Sequence, residues 1–366
     1  MLIPKNKKYL VSINRIDNPK VDRNKFIRLD KNENLNPINK KVLNKIRSKI
    51  SSNFLNSYPN LNRTYKKISK WLKFLQSELY LSAGSDAAIK SAFECFVFPQ
   101  DKVLILNPTY AMYSVYIKLF QAQPIFVNAN KKLEVDSGTI IQKIRFHKPA
   151  LICIANPNSP TGKSISINEI EKICNIAEAS KSIVLIDEAY HFYDNKTALS
   201  LIKKFKNVIV TLSFSKALGL ACARAGVAVS NKNIISLLQK FRPMYEINSF
   251  AALALEIYLN SCASWKKNIN KTLQVKKWFE KKCKASQITS IKSDANFINI
   301  DCKNILTAKN LQKIFLRKKF LVSCSNYIYL RKYIRLSVGT KSQMRYAFSI
   351  LKKYLKKNKK NDFKKL

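Results

Sequence analysis

A chain of 366 residues is long enough for a large domain with a smaller one beside it. Its 46% hydrophobic content is that of a globular protein, and no run of about 18 uncharged apolar residues marks a membrane span. The formal charge of +45 is spread along the whole chain beside abundant Lys, Asn and Ile, so it reads as compositional bias with solvated faces and weighs against a dedicated nucleic-acid surface.

The eight cysteines form no Cys-x-x-Cys pair and there are only two histidines, His147 and His191, which gives no support to a zinc site or a disulfide framework. Cysteines inside apolar runs, such as Cys153 in Leu-Ile-Cys-Ile-Ala, read as small core residues of a reducing compartment, and the expected location is the cytoplasm. The first residues carry charges with no apolar stretch behind them, so no secretory signal is expected.

In chain order, residues 1–35 read as an N-terminal arm, 36–245 as a large domain and 246–366 as a small C-terminal one. Helical pieces fill 36–76, interrupted at Ser57-Tyr58-Pro59. Ser82-Ala-Gly84-Ser85-Asp86 then leads into a helix over Asp86–Phe98. A glycine, a hydroxyl and an acid at a helix start make an anion site, although the same residues also serve as plain caps. A strand over Lys102–Leu106 ends in Asn107-Pro-Thr-Tyr110-Ala-Met-Tyr113, where Tyr110 can stack on a planar ring or simply pack at a sheet edge. Strands follow at Pro124–Val127 and Ala150–Ala155. The second runs into Asn156-Pro-Asn-Ser-Pro-Thr-Gly162, a rigid turn that points Asn156 at the same edge. A helix over Ile167–Ser180 opens with a capping box of Ser166 and Glu169.

The strand Ile183–Asp187 is apolar until its last residue. An acid there sits at the carboxyl edge of the sheet, where α/β proteins bind ligands. Buried, it needs a cation, and a pyridinium nitrogen would serve, with Tyr190 reaching the same ring's phenolate oxygen; taken alone, the same acid serves equally as a helix N-cap after a strand. After a strand over Asn207–Leu212 comes Ser213-Phe-Ser215-Lys216-Ala-Leu-Gly219, followed by Arg224 and Gly226. A Schiff-base lysine needs a neutral amine, which desolvation and neighbouring cations favour. The Ser213 and Ser215 hydroxyls and the Arg224 fork can grip a phosphate. Only six glycines occur in the chain, and most stand in these motifs, where backbone geometry requires them. Strand–helix alternation up to a strand at Gly226–Ser230 predicts a mostly parallel α/β sheet.

From about residue 231 the pattern changes to long helical stretches over 232–285. Next come strands at Asn296–Ile300, 320–324 and Tyr333–Val338, a helix near 307–319 and a closing amphipathic helix, together an α+β unit. Arg335 lies within the apolar strand Tyr333–Val338 and needs an anion, structural or from a substrate. The basic tail from Lys356 is expected to fray.

These strings, with Leu29-Asp-Lys-Asn-Glu-Asn34, Asp294-Ala-Asn-Phe and Arg335-Leu-Ser-Val-Gly-Thr340, stand in the order seen in the fold type I pyridoxal-phosphate aminotransferases. The chain resembles those enzymes, most closely the histidinol-phosphate aminotransferase family. The resemblance implies a seven-stranded large domain, a small C-terminal domain and a homodimer with the active site between subunits. It implies pyridoxal 5′-phosphate as cofactor, with Lys216 as Schiff-base lysine and proton shuttle and Asp187 on the pyridine nitrogen. Asn156 and Tyr190 would meet the phenolate oxygen and Tyr110 would stack on the ring. Ser85, Asp86, Ser213, Ser215 and Arg224 would hold the phosphate, joined by Tyr58 from the other subunit. Arg335, Asn156 and Asn34 would face the substrate, an amino donor or keto acid. One departure bears on that substrate: Ser323 stands where histidinol-phosphate enzymes carry an arginine as a second phosphate ligand. The expected reaction is therefore transamination of a small anionic, possibly phosphorylated, amine or amino acid. The alternative on the same scaffold is decarboxylation of an O-phospho amino acid.

Overall fold

Consecutive residues of the central strands are apolar on both sides, and a strand with two apolar faces must be covered twice. The computed structural model, which describes residues 5–13, 21–194 and 196–362, builds such a sheet. In chain order the elements are β1 (Ile27–Leu29), α1 (Lys40–Arg47), α2 (Ser52–Asn56), α3 (Asn62–Leu72), β2 (Leu79–Ser82), α4 (Ser85–Phe96), β3 (Lys102–Asn107), α5 (Ala111–Leu119) and β4 (Gln123–Asn128). Next come α6 (Ser137–His147), β5 (Leu151–Ala155), α7 (Ile167–Ala179), β6 (Ile183–Glu188), β7 (Val208–Ser213), β8 (Gly226–Val229), α8 (Lys232–Leu238), α9 (Ser249–Leu259) and α10 (Cys262–Ala285). The chain closes with β9 (Ser290–Ile291), β10 (Phe297–Asp301), α11 (Ile305–Arg317), β11 (Phe320–Cys324), β12 (Tyr333–Ser337) and α12 (Lys341–Asp362).

The large sheet has seven strands in the order β2-β8-β7-β6-β5-β3-β4. β3 to β7 pair in parallel, and β8 runs against both of its neighbours. Alternation splits each strand between two cores. Leu104, Ile152, Val184, Val208 and Val210 face one helical layer. Val103, Leu151, Cys153, Leu185 and Ile209 face the other, against α4 and α5. The Ser166–Glu169 capping box opens α7 as its sequence requires. A second sheet of five strands, β1-β11-β12-β10-β9, carries its own core around Phe279, Ile298, Ile300, Phe315, Phe320 and Leu336. The α/β class with a mostly parallel seven-stranded sheet agrees with the sequence reading. Among the described residues, no helix is long and apolar enough to cross a membrane.

Three expectations need correction. The boundary at residue 245 does not divide the cores, because Ile247, Ala251, Leu255, Trp265 and Ile269 pack into the large one. Val275, Phe279 and Cys283, further along the same helix, pack into the small one. One unbroken helix, α10, therefore serves both, and nothing in its composition signals the change of partner. The arm is not wholly separate either: β1 pairs in parallel with β11, and Leu29 is fully buried in the small core. The tail is helical to Asp362. Residues 1–4 and 14–20 of the arm and 363–366 of the tail lie outside the described residues.

Candidate active site

Parallel strands bring their carboxyl ends to one edge of a sheet, and here that edge collects the chemistry. β5 ends at Ala155, opposite Asp187 on β6, and Asp187 in turn stands opposite Thr211 on β7. Ser213 and Ser82 both pair with Gly226 at the start of β8. Strand alternation then separates two adjacent acids. Asp187 serves this edge, while Glu188 accepts hydrogen bonds from Thr197 and from Ala198 N–H and pairs with His191.

The anion-binding elements meet around Gly84. Its φ of 83° lies in the left-handed region that glycine tolerates, and it caps α4, so the first N–H groups of that helix, from Ser85 and Asp86, lack intrahelical acceptors. A Cβ at Gly84 would come within 2.7 Å of the Arg224 guanidinium, so glycine makes room for the arginine. Arg224 donates to Ser215 Oγ at 3.2 Å, and Ser215 N donates to Ser213 Oγ at 3.2 Å. Gly226 is the second required glycine. A Cβ there would collide with Ser85 N and lie 2.5 Å from the Gly84 carbonyl carbon, both backbone atoms that cannot step aside. Gly226→Ala should thus cost about 1–3 kcal/mol by overpacking. We expect a lowered melting temperature together with weakened binding of a phosphate-bearing ligand; an unchanged protein on both measurements would mean that β8 and α4 can separate without loss.

Asp187 is 4% exposed. Burial pushes its carboxyl up to about 6, against the hydrogen bonds from Thr211 and Tyr113, and the nearby Asp86 charge adds to the rise. Those bonds are 3.2 Å to Oδ1 and 3.3 Å to Oδ2. No cation pairs with it among the described residues. A planar heterocycle with a protonated ring nitrogen fits that vacancy of charge, and Tyr110 stands beside it, its hydroxyl donating to Asp86 at 3.2 Å. Burial, with the Asp86 and Asp187 charges, raises the Tyr110 phenol.

Lys216 follows β7 and is half-buried. Desolvation, with the charges of Arg335, Arg224 and Lys31, lowers its ammonium to about 8. That is the shift a nucleophilic amine needs. A short strap, residues 30–34, runs across the site and touches one group after another. The Asp30 carbonyl accepts from Arg335 at 2.8 Å and the Lys31 carbonyl from Lys216 Nζ at 2.7 Å. Asn32 donates to the Tyr190 oxygen at 2.7 Å, and Asn34 to the Ala217 carbonyl at 2.9 Å. Ion pairs of Arg23 with Asp30 and Glu33, and of Arg28 with Glu33, fasten the strap from outside.

Arg335 has a carbonyl and the Phe297 ring, 5.2 Å from its guanidinium carbon, as partners. Its buried Nε has no hydrogen-bond partner, and it forms no ion pair among the described residues. Among the described residues, no side-chain carboxylate supplies the anion that the sequence reading expects for it. Register places Ser323 and Asn299 directly across from Arg335 on its two neighbouring strands, and the three line one small cleft with Ser325 and Tyr333.

Two expected positions come out differently. Asn156 donates to the Ile165 carbonyl at 3.1 Å and accepts from Ile165 N at 2.8 Å, so its amide first holds the turn after β5 and keeps one hydrogen for a ligand. Asn34 is engaged within the chain: Nδ2 donates to the Ala217 carbonyl and Oδ1 accepts from Asn36, so it fastens the lysine loop. Among the described residues, Tyr58 makes no hydrogen bond to these groups but lines a cavity of about 380 Å³ together with Arg224; it is 79% exposed and stacked on Tyr245 at 4.6 Å. Thr211, Tyr113 and Asn32 had no assigned role. Thr211, a polar residue inside an apolar strand, was the visible signal for the first.

The chain matches the family described as aminotransferase class I and II over residues 24–351. It is 29% identical over 333 residues to a histidinol-phosphate aminotransferase of Caldanaerobacter subterraneus subsp. tengcongensis, covering 90% of this chain and 93% of that one. The fold superposes on a histidinol-phosphate aminotransferase of Sinorhizobium meliloti in complex with pyridoxal-5′-phosphate with a TM-score of 0.83 at 18% identity, covering 90% and 91% of the two chains. It also superposes on an L-threonine-O-3-phosphate decarboxylase of Porphyromonas gingivalis with a TM-score of 0.76 at 19% identity, covering 90% and 99%. At those identities the two solved structures speak for the fold alone.

Proposed function

This chain belongs to the aminotransferase class I and II family, and from that premise we propose that it moves an amino group between a small anionic amine or amino acid and a keto acid. It is a pyridoxal 5′-phosphate-dependent enzyme. The observation that supports the reading is the placement, at one sheet edge, of Lys216, its ammonium pushed down to about 8 by desolvation, and of the buried Asp187, which has no cationic partner among the described residues. When bound, pyridoxal phosphate supplies the electron sink for the bond broken at the substrate carbon.

The chain's own residues would do the rest. Lys216 Nζ anchors the cofactor and then carries a proton to and from the substrate carbon. Asp187 keeps a proton on the ring nitrogen. Tyr190, with the remaining amide hydrogen of Asn156, donates to the phenolate oxygen, and Tyr110 covers the ring. Ser213, Ser215, Arg224 and the N–H groups of Ser85 and Asp86 hold the phosphate. Arg335 takes the substrate's anionic group through its unpartnered Nε. Homodimerisation is part of the proposal. Leu55, Tyr58, Met244 and Phe250 are exposed large apolar side chains, Tyr58 lines one cavity with Arg224, and a second copy covering them is the partner from which Tyr58 would join the phosphate cradle. A cytoplasmic location suits such an enzyme.

The substrate test turns on Ser323. Its side chain shares a face with Arg335, where a second arginine would give a phosphate dianion a bidentate hold worth about 1.5–3 kcal/mol. We expect weak turnover of histidinol phosphate, better turnover of a smaller anionic donor, and a gain of roughly tenfold or more in histidinol-phosphate use in Ser323→Arg. A screen of amino donors that also measures released carbon dioxide checks this and separates the decarboxylase reading. Efficient histidinol-phosphate use by the unmodified chain would refute the role given to Ser323.

A further inference from the structure

Behind Tyr190 lies a line of hydrogen bonds with a direction built into it. The Asn32 backbone N donates to Ser337 Oγ at 2.8 Å. The Ser337 hydroxyl hydrogen then goes to Asn32 Oδ1, at 3.1 Å. With Oδ1 taken, the amide turns Nδ2 to the Tyr190 oxygen, 2.7 Å away. All three residues are buried: Ser337 fully, Asn32 to within 2% and Tyr190 to within 5%. Asn32 has a φ of 56°, a left-handed conformation in which asparagine is enriched, and its own carbonyl accepts from Asn296 at 3.1 Å.

A phenol has a single hydrogen. Since the Tyr190 oxygen receives one from Asn32, its own hydrogen is left for another acceptor, which on the functional reading above is the cofactor's phenolate oxygen. A reversed amide would offer Oδ1 to Tyr190 and draw that hydrogen away, and it would take from the buried Ser337 hydroxyl hydrogen the Oδ1 acceptor it now has. We propose that Asn32 is a positioning residue that aims the Tyr190 hydroxyl hydrogen at the cofactor's phenolate oxygen, with Ser337 fixing the sense of the Asn32 amide. The inference rests on the functional reading above, which places that oxygen beside Tyr190.

The test is a pH titration of the visible absorbance of the cofactor-loaded enzyme. A loaded wild type without a visible band that borohydride bleaches would sink the cofactor reading itself, before this inference is reached. Given the band, a Tyr190 hydrogen on the phenolate oxygen spreads that oxygen's charge and weakens the hold on the neighbouring proton of the Lys216 linkage. Asn32→Asp keeps the shape and tolerates the left-handed backbone, but presents only acceptors to Tyr190. We expect its titration midpoint to rise by about one unit, a tenfold gain in proton affinity. In a Tyr190→Phe background, Asn32→Asp should add nothing, because the hydrogen it redirects is gone. An equal rise in both backgrounds would show a plain charge effect and overturn the proposal, as would no rise at all. Should Asn32→Asp not fold, Ser337→Ala releases the amide instead; its smaller rise must likewise vanish in Tyr190→Phe, and a rise that persists there overturns the proposal.

Discussion

Lys216→Ala should all but abolish turnover while the chain still folds and still holds pyridoxal phosphate. A positioned general acid or base contributes about 10²–10⁴-fold, and Lys216 in the proposed reaction also forms the covalent anchor, so the loss should exceed that range. The fold should survive because the side chain is half-buried and its Nζ makes one hydrogen bond, to the Lys31 carbonyl. Cofactor should remain because Ser213, Ser215, Arg224 and the start of α4 grip the phosphate from another direction. Turnover, phosphate content and the visible spectrum are the measurements: activity gone, phosphate retained, the borohydride-sensitive band absent. Activity within tenfold of wild type would move the chemistry to another residue.

The second large effect belongs to Asp187. Asp187→Ala is expected to lose roughly 10²–10⁴-fold in turnover, the scale of a lost electrostatic stabiliser, and far more than Asp187→Glu. Linkage supplies an independent check. In the empty protein the folded-state carboxyl is raised to about 6, above its ordinary value, so the folded state binds a proton more tightly than the unfolded chain between about pH 4 and pH 6. Stability from this group therefore falls as pH rises through that window, by about 3 kcal/mol in all. A ring nitrogen that brings a positive charge offsets the loss. The gain in melting temperature on loading with pyridoxal phosphate should then grow from pH 4 to 6 and beyond, and that growth should shrink in Asp187→Ala. A near-wild-type rate in the alanine variant, with the same pH dependence, would reduce Asp187 to a strand-end acid.

The motifs at the sheet edge were readable because each combines a glycine, proline or charged residue with a strand end, and the strand ends of a parallel sheet coincide in space. What the sequence hid was non-local. β2 is four residues long and is a strand because it pairs with β8, some 145 positions later in the chain. α5 is a helix of Tyr, Val and Ile as much as of Ala and Leu; its buried residues Tyr113, Tyr116 and Ile117 do share one face, but Ala111, Met112, Val115 and Leu119 are apolar as well and hide that stripe in the sequence. The hydrogen bond from Asn34 to the Ala217 carbonyl is visible only once the strap is folded against the lysine loop. The role of Asn32 is likewise non-local, since it depends on what Ser337, far away in the chain, does to its amide.

The 24 residues of α10 carry a last consequence. A boundary between two cores that falls inside a helix, between Ile269 and Val275, leaves no hinge loop there. Loss of either core exposes one half of a rod whose other half is still gripped, and unwinding that half forfeits hydrogen bonds at the border that the surviving core relies on. The two sheets are thereby bound into one cooperative unit along α10. Any relative movement of the domains must be a flexing of the rod itself or a sliding at the strap.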